Sequence, residues 1–149
     1  MLKAKDIMTA DPIKITPDED VAKAAKLLLE KHINGLPVVD AENTLIGILT
    51  QSDLVATQKK FPLPTIFTVL DGILPLTSTS KLEKEVEKMT ASKVEKAMTA
   101  DPVSVEMDTP LEDVAQFMAD NKFHTVPVVQ EGKLVGVIGK EDVLRTLYQ

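Results

Sequence analysis

The chain has 149 residues, a net charge of −6 and no cysteine. The lack of cysteine excludes disulfides, thiolate metal sites and cysteine nucleophiles, and the acidic balance argues against binding to a nucleic-acid backbone. Hydrophobic residues make up 44% of the chain but aromatic residues only 3%, so we expect a globular protein with an aliphatic core.

No apolar signal core follows the N-terminal residues. The most apolar stretch, residues 63–76, is interrupted by Asp71, Gly72 and Pro75. Such a stretch is too short and too broken to span a bilayer. The sequence therefore predicts a soluble, cytoplasmic protein that does not bind to a membrane.

An internal duplication organises the chain. The sequence Met-Thr-Ala-Asp-Pro occurs twice, and further matches follow in the same order in both halves. The matching segments are residues 8–12 and 98–102, 37–39 and 127–129, and 45–49 and 134–138. We therefore predict a first repeat at residues 1–57, an insert at 58–92 and a second repeat at 93–149.

Each repeat predicts the order strand, helix, strand, strand, helix. Alternating apolar residues predict short strands at 13–15 and 103–105, each after an Asp-Pro turn. Capping-box sequences with a following proline begin at Thr16 and Thr109. The second box lies one turn later within its repeat, so its helix is expected to start later.

The first long helix of each repeat shows apolar residues at i, i+3, i+4 and i+7. These residues are Val21, Ala24, Ala25 and Leu28 in the first repeat, and Leu111, Val114, Ala115 and Met118 in the second. Continuous apolar strands at 36–39 and 126–129 are expected to be buried on both faces. Hairpins then lead to the last strands, and Asp53 and Asp142 open the closing helices.

The predicted fold is of the α/β (α+β) class. Two βαββα repeats, each a small mixed three-stranded sheet covered by helices, pack with pseudo-twofold symmetry and leave clefts between them. In the insert, an apolar segment at 66–74 and a charged helix at 81–89 are expected to pack on the module's flank or on a partner.

The first repeat ends its last strand with Thr50-Gln51-Ser52-Asp53. Hydroxyls and free N–H groups delivered to a helix start suit an anion, and a nearby carboxylate can accept two hydrogen bonds from a vicinal diol. The alternative interpretation is that Ser52 or Asp53 only caps the following helix.

These motifs identify a family. Met-Thr-x-Asp-Pro, a capped helix, Gly-Leu-Pro-Val-Val-Asp and Leu-Ile-Gly-Ile-Leu-Thr-x-Ser-Asp together resemble the CBS domain, named after cystathionine β-synthase. The resemblance implies a stand-alone CBS pair, or Bateman module. In that family the clefts between repeats often bind AMP, ADP, ATP or S-adenosylmethionine. It also implies an energy-sensing regulator that forms a homodimer through its CBS helices and signals to an effector protein.

The resemblance implies a nucleotide site in the first repeat. Asp53 would accept hydrogen bonds from the ribose hydroxyls, Thr50 and Ser52 would bind phosphate, and His124 would reach across from the second repeat. The adenine would lie between residues 34–37 and residues 12–13. The implied residues are Pro12, Ile13, Asn34, Gly35, Leu36, Pro37, Thr50, Ser52, Asp53 and His124.

The second repeat departs from the pattern, because its motif reads Gly139-Lys140-Glu141-Asp142. A carboxylate in place of Ser52 is unfavourable for a phosphate, although Lys140 could partly offset it. We expect a weak, altered or empty second site, with Asp142 kept as a helix cap. The implied residues are Pro102, Val103, Thr125, Val126, Pro127, Lys140 and Asp142.

Two other classes of function compete with ligand sensing. The pair could be a ligand-free scaffold for another protein, which predicts no response to any adenine nucleotide. An enzyme is not expected, since we find no nucleophile–base pair, no P-loop, no paired carboxylates at a helical spacing and no metal cluster in the sequence. Two unpartnered histidines without cysteine also argue against a transition-metal site, so no catalytic cofactor is predicted.

Overall fold

A computed structural model describes residues 1–57 and 92–148 of the chain. The apolar segment and the charged helix predicted for the insert lie outside these residues.

The described elements follow the same order in both repeats, except that the second repeat has an additional short strand before its long helix and a 3₁₀ turn at its end. In the first repeat they are α1 (Ala4–Ile7), β1 (Thr9–Ala10), α2 (Val21–Glu30), β2 (Gly35–Val39), β3 (Leu45–Thr50) and α3 (Gln51–Thr57). In the second they are α4 (Val94–Ala97), β4 (Thr99–Ala100), β5 (Val105–Glu106), α5 (Leu111–Asn121), β6 (Thr125–Gln130), β7 (Lys133–Gly139), α6 (Lys140–Arg145) and a 3₁₀ turn (Thr146–Tyr148).

The long helices and central strands form where the apolar pattern predicted them. In α2, all four predicted apolar residues are buried, and in α5, Val114 and Met118 are buried. Every residue of β2 is buried, as expected for a strand covered on both faces. The two repeats have separate aliphatic cores, one around Leu36 and Leu49 and the other around Val126.

The start of the long helices differs from the capping-box prediction. Helix α2 begins at Val21, after the predicted box, and α5 begins at Leu111, the equivalent position of the second repeat. The prediction that the second helix starts later is therefore wrong. The Thr16 N–H does donate to the Glu19 carboxylate at 2.9 Å, but this bond closes a turn ahead of the helix. The Lys23 ammonium and this N–H hold the pKa of Glu19 below its ordinary value.

The short strands predicted at 13–15 and 103–105 pair only at their ends. Strand β5 starts at Val105 and runs parallel to β6. Its counterpart in the first repeat is a single parallel bridge between Ile15 and Val38. Because β6 also pairs antiparallel with β7, the sheet of the second repeat is mixed, as predicted. The sheet of the first repeat is antiparallel, since β3 pairs antiparallel with both β2 and β4, and the predicted parallel strand is reduced to the Ile15–Val38 bridge.

The first strand of each repeat pairs with a strand of the other repeat, an arrangement that we call the strand exchange. Strand β1 of the first repeat pairs with β7 of the second, and β4 of the second pairs with β3 of the first. The sheets are therefore β1-β7-β6-β5, with four strands, and β2-β3-β4, with three. The predicted three-stranded sheet is thus extended in the second repeat by a strand from the first.

The short helices α1 and α4, which precede β1 and β4, also pack against the other repeat. Ala4 of α1 is buried in the core of the second repeat, and Val94 of α4 is buried in the core of the first. The first N–H of α5 donates to the carbonyl of Leu2 at 2.9 Å, and that of α2 donates to the carbonyl of Ser92 at 3.0 Å. The segment that contains α1 and β1 thus completes the second repeat, and the segment that contains α4 and β4 completes the first. We call these two segments the leading segments.

The hairpins of the two repeats also meet reciprocally. Leu45 N–H donates to the carbonyl of Gly132 at 3.1 Å, and Leu134 N–H donates to the carbonyl of Asn43 at 3.0 Å. The two donors, Leu45 and Leu134, occupy equivalent positions in the two repeats, and so do the two acceptors, Asn43 and Gly132. The arrangement agrees with the predicted pseudo-twofold symmetry.

Candidate functional site

A cleft of about 650 Å³ lies between the repeats, at the end of β3. Both repeats contribute to its wall. The lining residues are Asn34, Ile48, Thr50, Gln51, Ser52, Asp53, Thr99, Asp101, Pro102, Val103, Asn121, Lys122, Phe123, His124, Thr125 and Lys140. The motif predicted to bind the ligand, Thr50 to Asp53, therefore faces this cleft.

The Asp53 carboxylate is held by the end of β3. Its Oδ2 accepts a hydrogen bond from the Thr50 N–H at 2.9 Å, and the Asp53 N–H donates to Thr50 Oγ1 at 3.2 Å. This is a reciprocal capping arrangement at the start of α3. Capping and ligand binding use the same residues, so the capping alternative describes part of what Asp53 does.

Thr99 is a partner of Asp53 that the sequence did not predict. Its Oγ1 donates to Asp53 Oδ1 at 3.1 Å. Thr99 belongs to β4 and reaches Asp53 because that strand pairs with β3. The only signal in the sequence was the repeated Met-Thr-Ala-Asp-Pro motif, which did not tell which sheet the threonine would join.

The same strand exchange determines which residues form the wall opposite Asp53. The sequence assigned Pro12 and Ile13 to this cleft and Pro102 and Val103 to the second one. Pro102 and Val103 in fact line the cleft beside Asp53, and Pro12 and Ile13 do not. The physical reason is that β4, rather than β1, pairs with β3 and carries its following residues to this wall.

Of the segment predicted to form the base slot, only Asn34 lines the cleft. Gly35, Leu36 and Pro37 are buried within β2. Gly35 packs against the second repeat, since a Cβ at this position would lie 3.5 Å from the Cβ of Thr125. The close approach at Gly35 is therefore between the repeats.

The second repeat supplies a basic wall. His124 lines the cleft, as the resemblance implied, and so do Thr125 and Lys140, which the sequence assigned to the second site. Lys122 lies beside them. Val126 and Pro127, also assigned to the second site, are buried in β6.

Asp142 repeats the backbone contact of Asp53 but has a different side-chain partner. Its Oδ2 accepts from the Gly139 N–H at 2.8 Å, and its Oδ1 forms an ion pair with Arg145 at 2.8 Å. The first repeat has Ala56 at the position of Arg145. The second repeat thus keeps the cap and adds a cation that engages the carboxylate.

None of the helices in the described residues is both long and apolar enough to cross a membrane. Residues 1–57 and 92–148 likewise contain no group of three or more His, Cys, Asp or Glu side chains that could hold a metal ion.

Comparison with known proteins gives the family. The model of the CBS domain matches residues 4–60 and 92–149, one match for each repeat. The chain belongs to the CBS domain family. The resemblance seen in the motifs is thereby confirmed, and the chain is a CBS pair.

Two curated relatives match over nearly the whole CBS pair. The chloroplastic CBS domain-containing protein CBSX2 of Arabidopsis thaliana is 32% identical over 140 residues, which cover 91% of this chain and 58% of CBSX2. Protein YlbB of Bacillus subtilis is 33% identical over 144 residues, covering 96% of this chain and 80% of YlbB. This chain therefore spans less than two thirds of CBSX2.

Solved CBS pairs share the fold. The crystal structure of CBSX2 in complex with AMP has a TM-score of 0.75 at 30% identity, covering 99% of this chain and 96% of that one. The CBS domain pair of MJ0100, in complex with 5′-methylthioadenosine and S-adenosyl-L-methionine, has a TM-score of 0.71 at 25% identity, with coverage of 99% and 96%. The α+β architecture is that of a CBS pair.

Proposed function

We propose that this CBS pair is a regulatory module that binds an adenine nucleotide in the cleft beside Asp53, and that it is not an enzyme. The observation that carries the proposal is the composition of this cleft. Thr50, Ser52 and Asp53 of the first repeat face it, and so do His124 and two lysines of the second.

The Asp53 carboxylate suits a ribose. Thr50 N–H fixes the orientation of the carboxylate in the cleft wall, so its position is set before a ligand arrives. Vicinal hydroxyls are donors that match a carboxylate, and hydrogen bonds to an ionised acceptor are stronger than neutral ones. This supports a nucleoside at the first-repeat side of the cleft.

The basic wall favours a ligand with a negative charge. His124 can donate a hydrogen bond to a phosphate, and the nearby ammonium groups add a positive potential although the whole chain is acidic. AMP in CBSX2 and S-adenosylmethionine in MJ0100 share an adenosyl group and differ in charge. The two lysines on this wall therefore support AMP, ADP or ATP above S-adenosylmethionine.

A ligand in this cleft would touch both repeats and could change the angle between them. We further propose that a homodimer passes this change to an effector protein. Val55 of α3 and Leu144 of α6 occupy equivalent positions and are 63% and 54% exposed, and Leu147 and Tyr148 are also exposed. These apolar side chains on the closing helices support a contact between two copies.

The test is thermal unfolding with AMP, ADP, ATP and S-adenosylmethionine. A ligand at about 100 times its Kd should stabilise the protein by roughly 2.7 kcal/mol. Asp53→Asn should abolish this gain, because the amide is a weaker acceptor for the ribose hydroxyls. Asp142→Asn is the matched control, since it weakens the equivalent cap by a similar amount and should retain most of the gain.

The proposal fails if none of the four ligands shifts the unfolding midpoint. It also fails if Asp53→Asn binds the ligand as well as the wild type does. The first result would favour the ligand-free scaffold, for which the exposed apolar side chains of α3 and α6 would be the contact surface.

A further inference from the structure

Lys140 belongs to the second repeat, yet it lines the cleft that contains Asp53. It is the first residue of α6, and its N–H donates to the carbonyl of His124 at 3.0 Å. This bond keeps Lys140 and His124 side by side on the wall of the second repeat. The lysine is exposed and forms no ion pair with any described residue.

The first repeat has Gln51 where the second has Lys140. The backbone geometry is the same, because the Gln51 N–H donates to the carbonyl of Asn34 at 3.2 Å, as Lys140 does to His124. Only the charge differs between these equivalent positions. Both residues line the cleft beside Asp53, so the second repeat contributes an ammonium group to it where the first contributes a neutral amide.

The charges of the cleft are separated between its walls. Asp53 follows β3, and Asp101 is attached to the same strand by its N–H, which donates to the carbonyl of Ile46 at 3.3 Å. Lys122 follows α5 and Lys140 follows β7, a strand of the other sheet. Such a cleft suits a molecule with hydroxyl donors at one end and several negative charges at the other.

We propose that Lys140 binds the terminal phosphates of a nucleoside polyphosphate and makes this cleft prefer ATP and ADP to AMP. The inference rests on the proposed binding of an adenine nucleotide at Asp53. With the ribose at Asp53, each further phosphate extends the ligand away from the acidic wall and toward the ammonium group. Attraction between the charges then increases with the number of phosphates.

The experiment is isothermal titration of the full chain with adenosine, AMP and ATP. Lys140→Gln installs the residue that the first repeat carries at the same place. We expect it to lower the affinity for ATP about tenfold, as the loss of one ammonium–phosphate contact would, and that for AMP less than about twofold. The affinity for adenosine should not change.

Lys26→Gln is the matched control. Lys26 lies on the outer face of α2, outside the cleft, and its one ion pair among residues 1–57 and 92–148 is with Glu30 at 3.8 Å. Removing this charge should leave all three affinities unchanged, which separates a local contact from the effect of net charge. Added salt should reduce the advantage of ATP over AMP in the wild type and in Lys26→Gln more than in Lys140→Gln.

Two results would overturn the inference while leaving nucleotide binding in place. One is that Lys140→Gln binds ATP as the wild type does, and the other is that it weakens AMP and ATP by the same factor. If the wild type binds none of the three compounds, the proposed function itself fails. Unfolding midpoints without ligand show whether the variants are folded.

Discussion

Two glycines allow the exchanged strands to approach their sheets. A Cβ at Gly47 would lie 2.5 Å from the sulfur of Met98 and 3.1 Å from the carbonyl oxygen of Thr99. Gly136 stands at the equivalent place and meets Met8 in the same way. The glycine in the middle of each last strand is therefore required by contact between the repeats.

We expect Gly47→Ala to destabilise the protein by about 1–3 kcal/mol, because the methionine side chain and the β4 backbone must both move. Gly35→Ala is the control. A Cβ there would meet Thr125 only at an ordinary contact distance of 3.5 Å, and Gly35 has no left-handed backbone conformation. Denaturant unfolding measures both variants. Equal stability of the two variants would contradict this account.

Lys140 is a residue whose place in the cleft beside Asp53 could not be predicted from the sequence. The sequence predicts a strand end followed by a helix start at the motif that contains Asp53, and β3 and α3 meet there. Lys140 was assigned to the second cleft because it stands in the second copy of the motif. Which cleft it lines depends on how the two repeats pack, and no local pattern contains that information.

The sequence also does not predict which sheet β1 and β4 join. Strands β1 and β4 contain two exposed residues each, so they show no apolar periodicity. Their sequences are identical in the two repeats, so nothing distinguishes one sheet from the other. In contrast, α2 and β2 could be predicted, because the helical spacing of the apolar residues in α2 and the continuous apolar run in β2 both indicate buried elements.

The leading segment of the first repeat should stabilise the second. We expect Ala4→Asp to lower the free energy of unfolding by about 3 kcal/mol or more, because its carboxyl group would enter an aliphatic core without a partner. Hydrogen exchange should become fastest in α5, β6 and β7. Met1→Asp, in the same segment but 94% exposed, should have little effect. Faster exchange confined to α2 and β2 would show that the leading segment serves its own repeat.

The two halves of the molecule are alike in backbone and unlike in chemistry. The motif of Asp53 contains Thr50 and Ser52, whereas that of Asp142 has Gly139 and Glu141 in their places. Arg145 also engages the Asp142 carboxylate at 2.8 Å. A nucleotide would have to compete with this ion pair and would place its phosphate near the Glu141 carboxylate.

We therefore expect one nucleotide to bind to each chain. Isothermal titration with ATP should give a stoichiometry close to one, and Asp142→Asn should not change it. Two sites of equal affinity would show that the Arg145 ion pair and Glu141 do not obstruct the second cleft.

The exchange of β1 and β4 constrains how such a chain can assemble. A protein with only one copy of the unit would lack the strand and helix that the other copy supplies, and could complete its core only by associating with a second molecule. Joining two copies in one polypeptide keeps the complementary segment at a high effective concentration. A bimolecular association thus becomes a unimolecular folding step, which does not weaken on dilution.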